Sequence, residues 1–195
     1  MTVDYLQYYH LERYLFESVS RRFGKTGLLT AFDFFCIVIW KANRAKSKVA
    51  ARLLAHCPEH DSLEGAVQAL VAAIREADSP QARLAILIND WGFQLPMASA
   101  ILTVMYPEHF SVYDVRVCDV LGDFSDAAHR EPFEAKWKRY DEYLKEVQTA
   151  APGGLSLRDK DRYLWAKSFA QQLEVDIRTG FPRPSDDESP DVERE

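Results

Sequence analysis

The sequence predicts an all-α protein of eight or nine helices, and three observations carry that prediction. Apolar residues recur at spacings of three and four along most of the chain, the period of one helical face. No segment alternates apolar and polar residues for long enough to make a half-buried strand. Most glycines, prolines and capping residues fall between the periodic runs.

Taken in order, Tyr8, Leu11, Leu15 and Val19 mark a first helix over 3–22. Gly24–Gly27 separates it from a second over 28–42, and a third covers 45–56. Asp61 and Ser62 are N-cap candidates for 62–76, striped by Leu63, Val67, Leu70 and Ile74. Ser79-Pro80 reads as N-cap and first helical residue of 80–90. A helix over 95–105 is apolar nearly all round, so it should run through the core. Pro107 ends it, and an extended stretch, Phe110–Tyr113, leads to another helix over 114–121. Phe133, Trp137, Tyr140, Leu144 and Val147 form one stripe on a long helix over 129–149. After the loop Ala151–Gly154, the residues Ala166, Phe169, Ala170, Leu173 and Ile177 mark the last helix, 159–178. The aromatic residues Tyr5, Tyr8, Tyr9, Phe34, Phe35, Trp137 and Trp165 sit mostly at helical spacing, which reads as core. No repeat of 30–40 residues is visible, which argues against a solenoid.

The length of 195 residues suits one domain. We expect a helical domain over 1–182 and an acidic, disordered tail over 183–195, a candidate segment for a protein partner. The net charge of −6 describes that tail more than the body. Of 24 basic and 30 acidic residues, the segment 184–195 holds one and six, so the remainder carries about −1. An acidic pI therefore does not exclude a nucleic-acid partner. The start of the chain has no basic segment followed by an apolar run, so no signal peptide is expected. The longest apolar stretch, Leu28–Trp40, is too short to span a bilayer. Cys36, Cys57 and Cys118 form no CxxC, and three thiols cannot hold a four-cysteine cluster. In His56-Cys57-Pro58-Glu59-His60 the proline breaks the helix that would align the two histidines, so no metal is expected. These features fit a cytoplasmic protein without a cofactor.

The informative stretch is 89–122, NDWGFQLPMASAILTVMYPEHFSVYDVRVCDVLG. A short helix ends at Asp90-Trp91-Gly92, a tight turn runs to Pro96, and Asp114 opens a helix after the extended stretch. This order resembles the helix-hairpin-helix DNA glycosylase superfamily. The family's hairpin, Leu-Pro-Gly-Val-Gly-x-Lys-x-Ala, is followed by a buried helix and then Val-Asp. The resemblance implies an orthogonal helical bundle that binds double-stranded DNA in a base-excision-repair role, with Asp114 as the catalytic carboxyl group. It also implies that the turn Gly92, Phe93, Gln94 and Met97 faces one DNA strand through backbone amides and the helix N-terminus. Gln94 replaces the second hairpin glycine, and Pro96 stands where bifunctional members carry a nucleophilic lysine. Without that amine the implied activity is a monofunctional N-glycosylase. Cleavage builds positive charge on the sugar, which a carboxylate stabilises after the base has been flipped out of the duplex.

Each feature has a plainer reading. Asp114 caps a helix in either case. The turn could be a simple corner with Gly92 just beyond the preceding helix. The stretch Lys41–Arg52 has five basic residues and no acidic one, with Trp40 before it. Lys41, Arg44 and Lys48 are the candidate phosphate contacts there, against a solvated helix face. The alternative function is a catalytically inactive module on the same scaffold that binds DNA or protein.

Overall fold

A computed structural model describes residues 4–58 and 62–181. The described residues are helical, with no strands. Helix α1 spans 11–26, with a wider turn at Leu15–Val19 between Leu11–Tyr14 and Ser20–Thr26. Then come α2 (Ala31–Ala42), α3 (Lys46–His56), α4 (Leu63–Glu76) and α5 (80–90, whose last turn, Ile86–Asp90, also widens). The set ends with α6 (Leu95–Met105), α7 (Val115–Leu121), α8 (Phe133–Ala150) and α9 (Leu157–Thr179).

Local chemistry explains most boundaries. The side chains of Thr30, Ser62, Ser79, Asp114 and Ser156 each accept an amide hydrogen bond in the first turn that follows. Gly27, at φ 68°, closes α1 in the left-handed conformation, and a Cβ there would collide with the Arg75 guanidinium. The expected start of the first helix is wrong. Asp4 caps a separate 3₁₀ turn, Tyr5–Tyr8, and the chain breaks at Tyr9–His10 before α1 begins. That helix also runs through Gly24, because Gly27 and not Gly24 supplies the left-handed stop.

Helix α6 is the central element, as its composition predicts. Leu95 and residues 97–105 are buried, between α2 on one side and α1 and α5 on others. The core around it joins Leu15, Phe34, Ile37, Leu70, Ile74, Leu84, Phe110 and Tyr140. Asp33 ties α1 to α2 inside this core by accepting from Tyr14 Oη at 2.7 Å and from Arg22.

Two expectations about apolar residues fail. The stripe Phe169, Leu173 and Ile177 on the last helix is exposed, because α9 buries Leu157, Asp161 and Leu164 against α7 and α8 instead. Tyr5, Tyr9 and Trp165 are likewise exposed and are not core. Periodicity identified residues that share a face without identifying which face is covered. The expected tail lies outside the described residues, as do Glu59, His60 and Asp61.

Candidate functional site

The extended stretch before α7 decides where Asp114 sits. It has no neighbouring strand, so its peptide groups must be satisfied by other means. Side chains from three helices do this. Tyr140 and Tyr143 of α8 donate to the carbonyls of Ser111 (2.5 Å) and Val112 (2.7 Å). Ser99 of α6 accepts from the Tyr113 amide at 2.9 Å, and Asp161 of α9 accepts from the Val112 amide at 3.4 Å. Burial pushes both tyrosine hydroxyls far above their ordinary pKa, which keeps them neutral donors.

Asp114 follows directly. Its Oδ1 accepts from the Arg116 amide at 3.1 Å, which caps α7. Its Oδ2 accepts from Lys41 Nζ at 2.7 Å, and that amine also reaches the Tyr113 carbonyl at 3.4 Å. The side chains of Lys41 and Asp114 are 15% and 22% exposed, so the pair is partly desolvated yet open to solvent on one side. That side is a cavity of about 620 Å³, lined also by Glu12, Trp40, Arg158, Asp161 and Trp165. Its volume lies within the range of small-ligand sites, about 300–1,000 Å³.

A charged network shapes the wall opposite Lys41. Arg158 lies over the rings of Phe16 (4.5 Å) and Trp40 (5.1 Å) and donates to both Asp161 and Glu12. Arg162 donates to the same Glu12 oxygen at 2.8 Å, which ties α9 to α1 across the cavity. Burial opposes ionisation of Glu12, but Arg158 and Arg162 outweigh it and hold its carboxyl below the ordinary range. Asp161 behaves in the opposite way. Its burial pushes the carboxyl up to about 6 against the pull of Arg158 and the Val112 amide, and the charge of Asp114 adds to the rise.

The hairpin lies beside this cavity. Gly92, at φ +66°, turns the chain out of α5 in a conformation that glycine adopts without strain. The amides of Gly92, Gln94 and Leu95 donate to no group among the described residues. Phe93 is different, since its amide donates to the Leu87 carbonyl at 2.8 Å and its ring is buried against Phe34. Met97 is also buried, and its amide is used within the first turn of α6. A smaller cavity of about 190 Å³ is lined by Lys41, Lys48, Arg52, Phe93, Gln94 and Met97, among others.

The structure therefore brings the basic stretch, the turn and Asp114 onto one face, with Lys41 lining both cavities. Lys48 is exposed and lines the smaller cavity, Arg44 is exposed and lines neither cavity, and Lys41 is an internal partner of Asp114 and not an exposed contact. The turn's contact through Phe93 and Met97 is limited to the small cavity, because their amides and most of their surface are already engaged.

Sequence reasoning missed Glu12, Trp40, Arg158, Asp161 and Arg162. A signal for Asp161 appears only once the buried face of α9 is known. It occupies the buried register Leu157, Asp161, Leu164 of α9, where an acidic residue has no reason to be unless it has partners. Among the described residues no group of three or more His, Cys, Asp or Glu could hold a metal ion, and no helix is long and apolar enough to cross a membrane. No protein-family model matches the chain, nor does any curated protein or solved structure.

Proposed function

We propose that the chain is a helix-hairpin-helix glycosylase-like bundle, acting in the cytoplasm, that binds duplex DNA and hydrolyses an N-glycosidic bond. The observation that carries this reading is the position of Asp114. Its carboxylate lines a nucleoside-sized cavity on the face that also carries the Gly92 turn and the basic stretch. The free amides of Gly92, Gln94 and Leu95 point to phosphate contact at the head of α6. Arg44 and Lys48 add charge attraction. The flipped nucleotide enters the cavity, and Asp114 faces the positive charge that grows on the sugar as the base leaves. Trp40 and Trp165 supply apolar walls for the base. Water then adds to the anomeric carbon, without a covalent enzyme intermediate.

The test is release of bases from a panel of lesion duplexes, some carrying neutral bases (hypoxanthine, uracil, 8-oxoguanine) and some cationic ones (7-methylguanine, 3-methyladenine). We expect release from at least one duplex, and a fall of roughly 100-fold or more with Asp114→Asn. Equal rates for the two proteins, or no release from any duplex, would remove the enzymatic reading.

One observation favours the second reading, a module that binds DNA or protein without catalysis. Both Asp114 oxygens already have protein donors. Under that reading the chain retains duplexes but releases nothing from the panel.

A further inference from the structure

We infer that Asp161 is a second catalytic residue of this cavity, and that its carboxyl group gives the proton taken up by the departing base. This rests on the glycosidic reading above and deepens it.

Two carboxyl groups line the cavity, and their surroundings divide the work between them. Asp114 has a donor on each oxygen, the Arg116 amide on Oδ1 and Lys41 Nζ on Oδ2. Both of its oxygens therefore already accept, and neither is left to carry a transferable proton. On Asp161 both donors, Arg158 and the Val112 amide, go to Oδ2. Its Oδ1 has no partner among the described residues, although the residue is only 2% exposed. Nor is Oδ1 among the enclosed unpartnered atoms, so it keeps its opening onto the cavity. A buried carboxyl with one free oxygen facing a ligand-sized space is placed to hold a proton and hand it over.

The charged and titratable groups around it come from every packed element. Arg158 and Arg162 lie on α9, Glu12 on α1, Lys41 on α2 and Asp114 at the head of α7. The hydroxyls of Tyr140 and Tyr143 on α8 complete the set and remain neutral. Two other acids and three bases leave the wall around Asp161 one positive charge that favours its anion, and burial of the carboxyl opposes that pull. Its raised pKa agrees with this placement.

In the step, the proton leaves Asp161 Oδ1 for an acceptor atom of the base as the C1′–N bond breaks. The bonding pair departs with the base. Asp114 faces the sugar cation, water adds to C1′, and the proton it sheds returns to Asp161. The net reaction splits one water between the base and the sugar.

The experiment measures single-turnover base release by the full chain from pH 4.5 to 8.5 on the same panel. For neutral bases the rate should fall about tenfold per pH unit above about 6, since only the protonated acid works. Asp161→Asn should lower that rate about 100-fold and flatten the profile. Cationic 7-methylguanine leaves without being protonated, so there Asp161→Asn should stay within about threefold of the wild type while Asp114→Asn fails.

Equal loss with Asp161→Asn on neutral and cationic bases would make Asp161 structural and overturn the inference. So would an unchanged neutral-base rate, or a wild type that releases cationic bases only. Should Asp161→Asn fail to fold, the wild-type profile decides, and a flat one overturns the inference. No release of any base by the wild type removes the glycosidic reading itself, and this inference with it.

Discussion

Lys41 and Asp114 illustrate how one contact sets the chemistry available to a site. An amine 2.7 Å from a carboxylate oxygen is engaged by that partner, and attack on a sugar would require the ion pair to break. The cavity thus contains a lysine although the hairpin position is Pro96, but its ion pair keeps it from acting as a nucleophile. Borohydride added to a mixture of the protein and an abasic-site duplex should therefore trap no covalent adduct on denaturing gels. An adduct mapped to Lys41 would instead establish a lyase. The tyrosine pair makes a second claim at this scale. Tyr143→Phe removes the donor to the buried Val112 carbonyl and should cost about 1–3 kcal/mol in urea unfolding. It should also lower base release, because the stretch it holds leads into Asp114 two residues later.

At the scale of elements, α9 does two different things along its length. Its 23 residues extend about 34 Å. The first two turns bury Leu157, Asp161 and Leu164 and hold the charged wall of the cavity. The rest is mostly exposed, with Trp165 stacked on Phe169 at 5.7 Å and Arg116 of α7 over both rings. Substitutions in the two halves should differ accordingly. Leu164→Ala should destabilise by about 2–5 kcal/mol in urea unfolding, as buried leucines do. Ile177→Asp, at a site 65% exposed, should change stability by no more than about 0.5 kcal/mol. Similar losses at both sites would mean that the second half is covered in solution.

For the molecule as a whole, charge placement matters more than charge sum. The overall −6 coexists with a stretch, Lys41–Arg52, that has no acidic residue and borders the hairpin. Duplex binding should be steeply salt-dependent because each phosphate contact releases counterions. The double variant Arg44→Glu, Lys48→Glu should weaken retention at every DNA sequence and reduce the salt slope by roughly two. Unchanged retention would place the DNA on another face.

Much of the architecture was legible because its causes are local. Ser62, Ser79 and Asp114 cap helices through atoms within three residues of themselves, so spacing alone reveals them. The burial of α6 was legible from its uniformly apolar composition. The start of α1 was not, since an apolar stripe from Tyr8 onward does not register the break at Tyr9–His10. Asp114 stood out through its place after an extended stretch and Lys41 as a phosphate contact, but nothing in the sequence showed that the two, 73 positions apart, pair with each other. Asp161 is the sharpest case. Its charge pattern with Arg158 and Arg162 looks like a solvated first turn until α1, α7 and α8 close around it.

The sequence by itself determined that the chain is helical, where most of its helices begin and end, and which of them is central. Capping and periodicity act over a few residues, so each segment carries its own instructions. Tertiary structure alone decided that Glu12, Lys41, Asp114 and Asp161 share one cavity, that Lys41 pairs with Asp114, and that the last apolar stripe faces out. Those outcomes depend on which surfaces of separate helices exclude water from one another, and on the charges then left to neutralise each other there. No stretch of sequence contains both partners of such a contact.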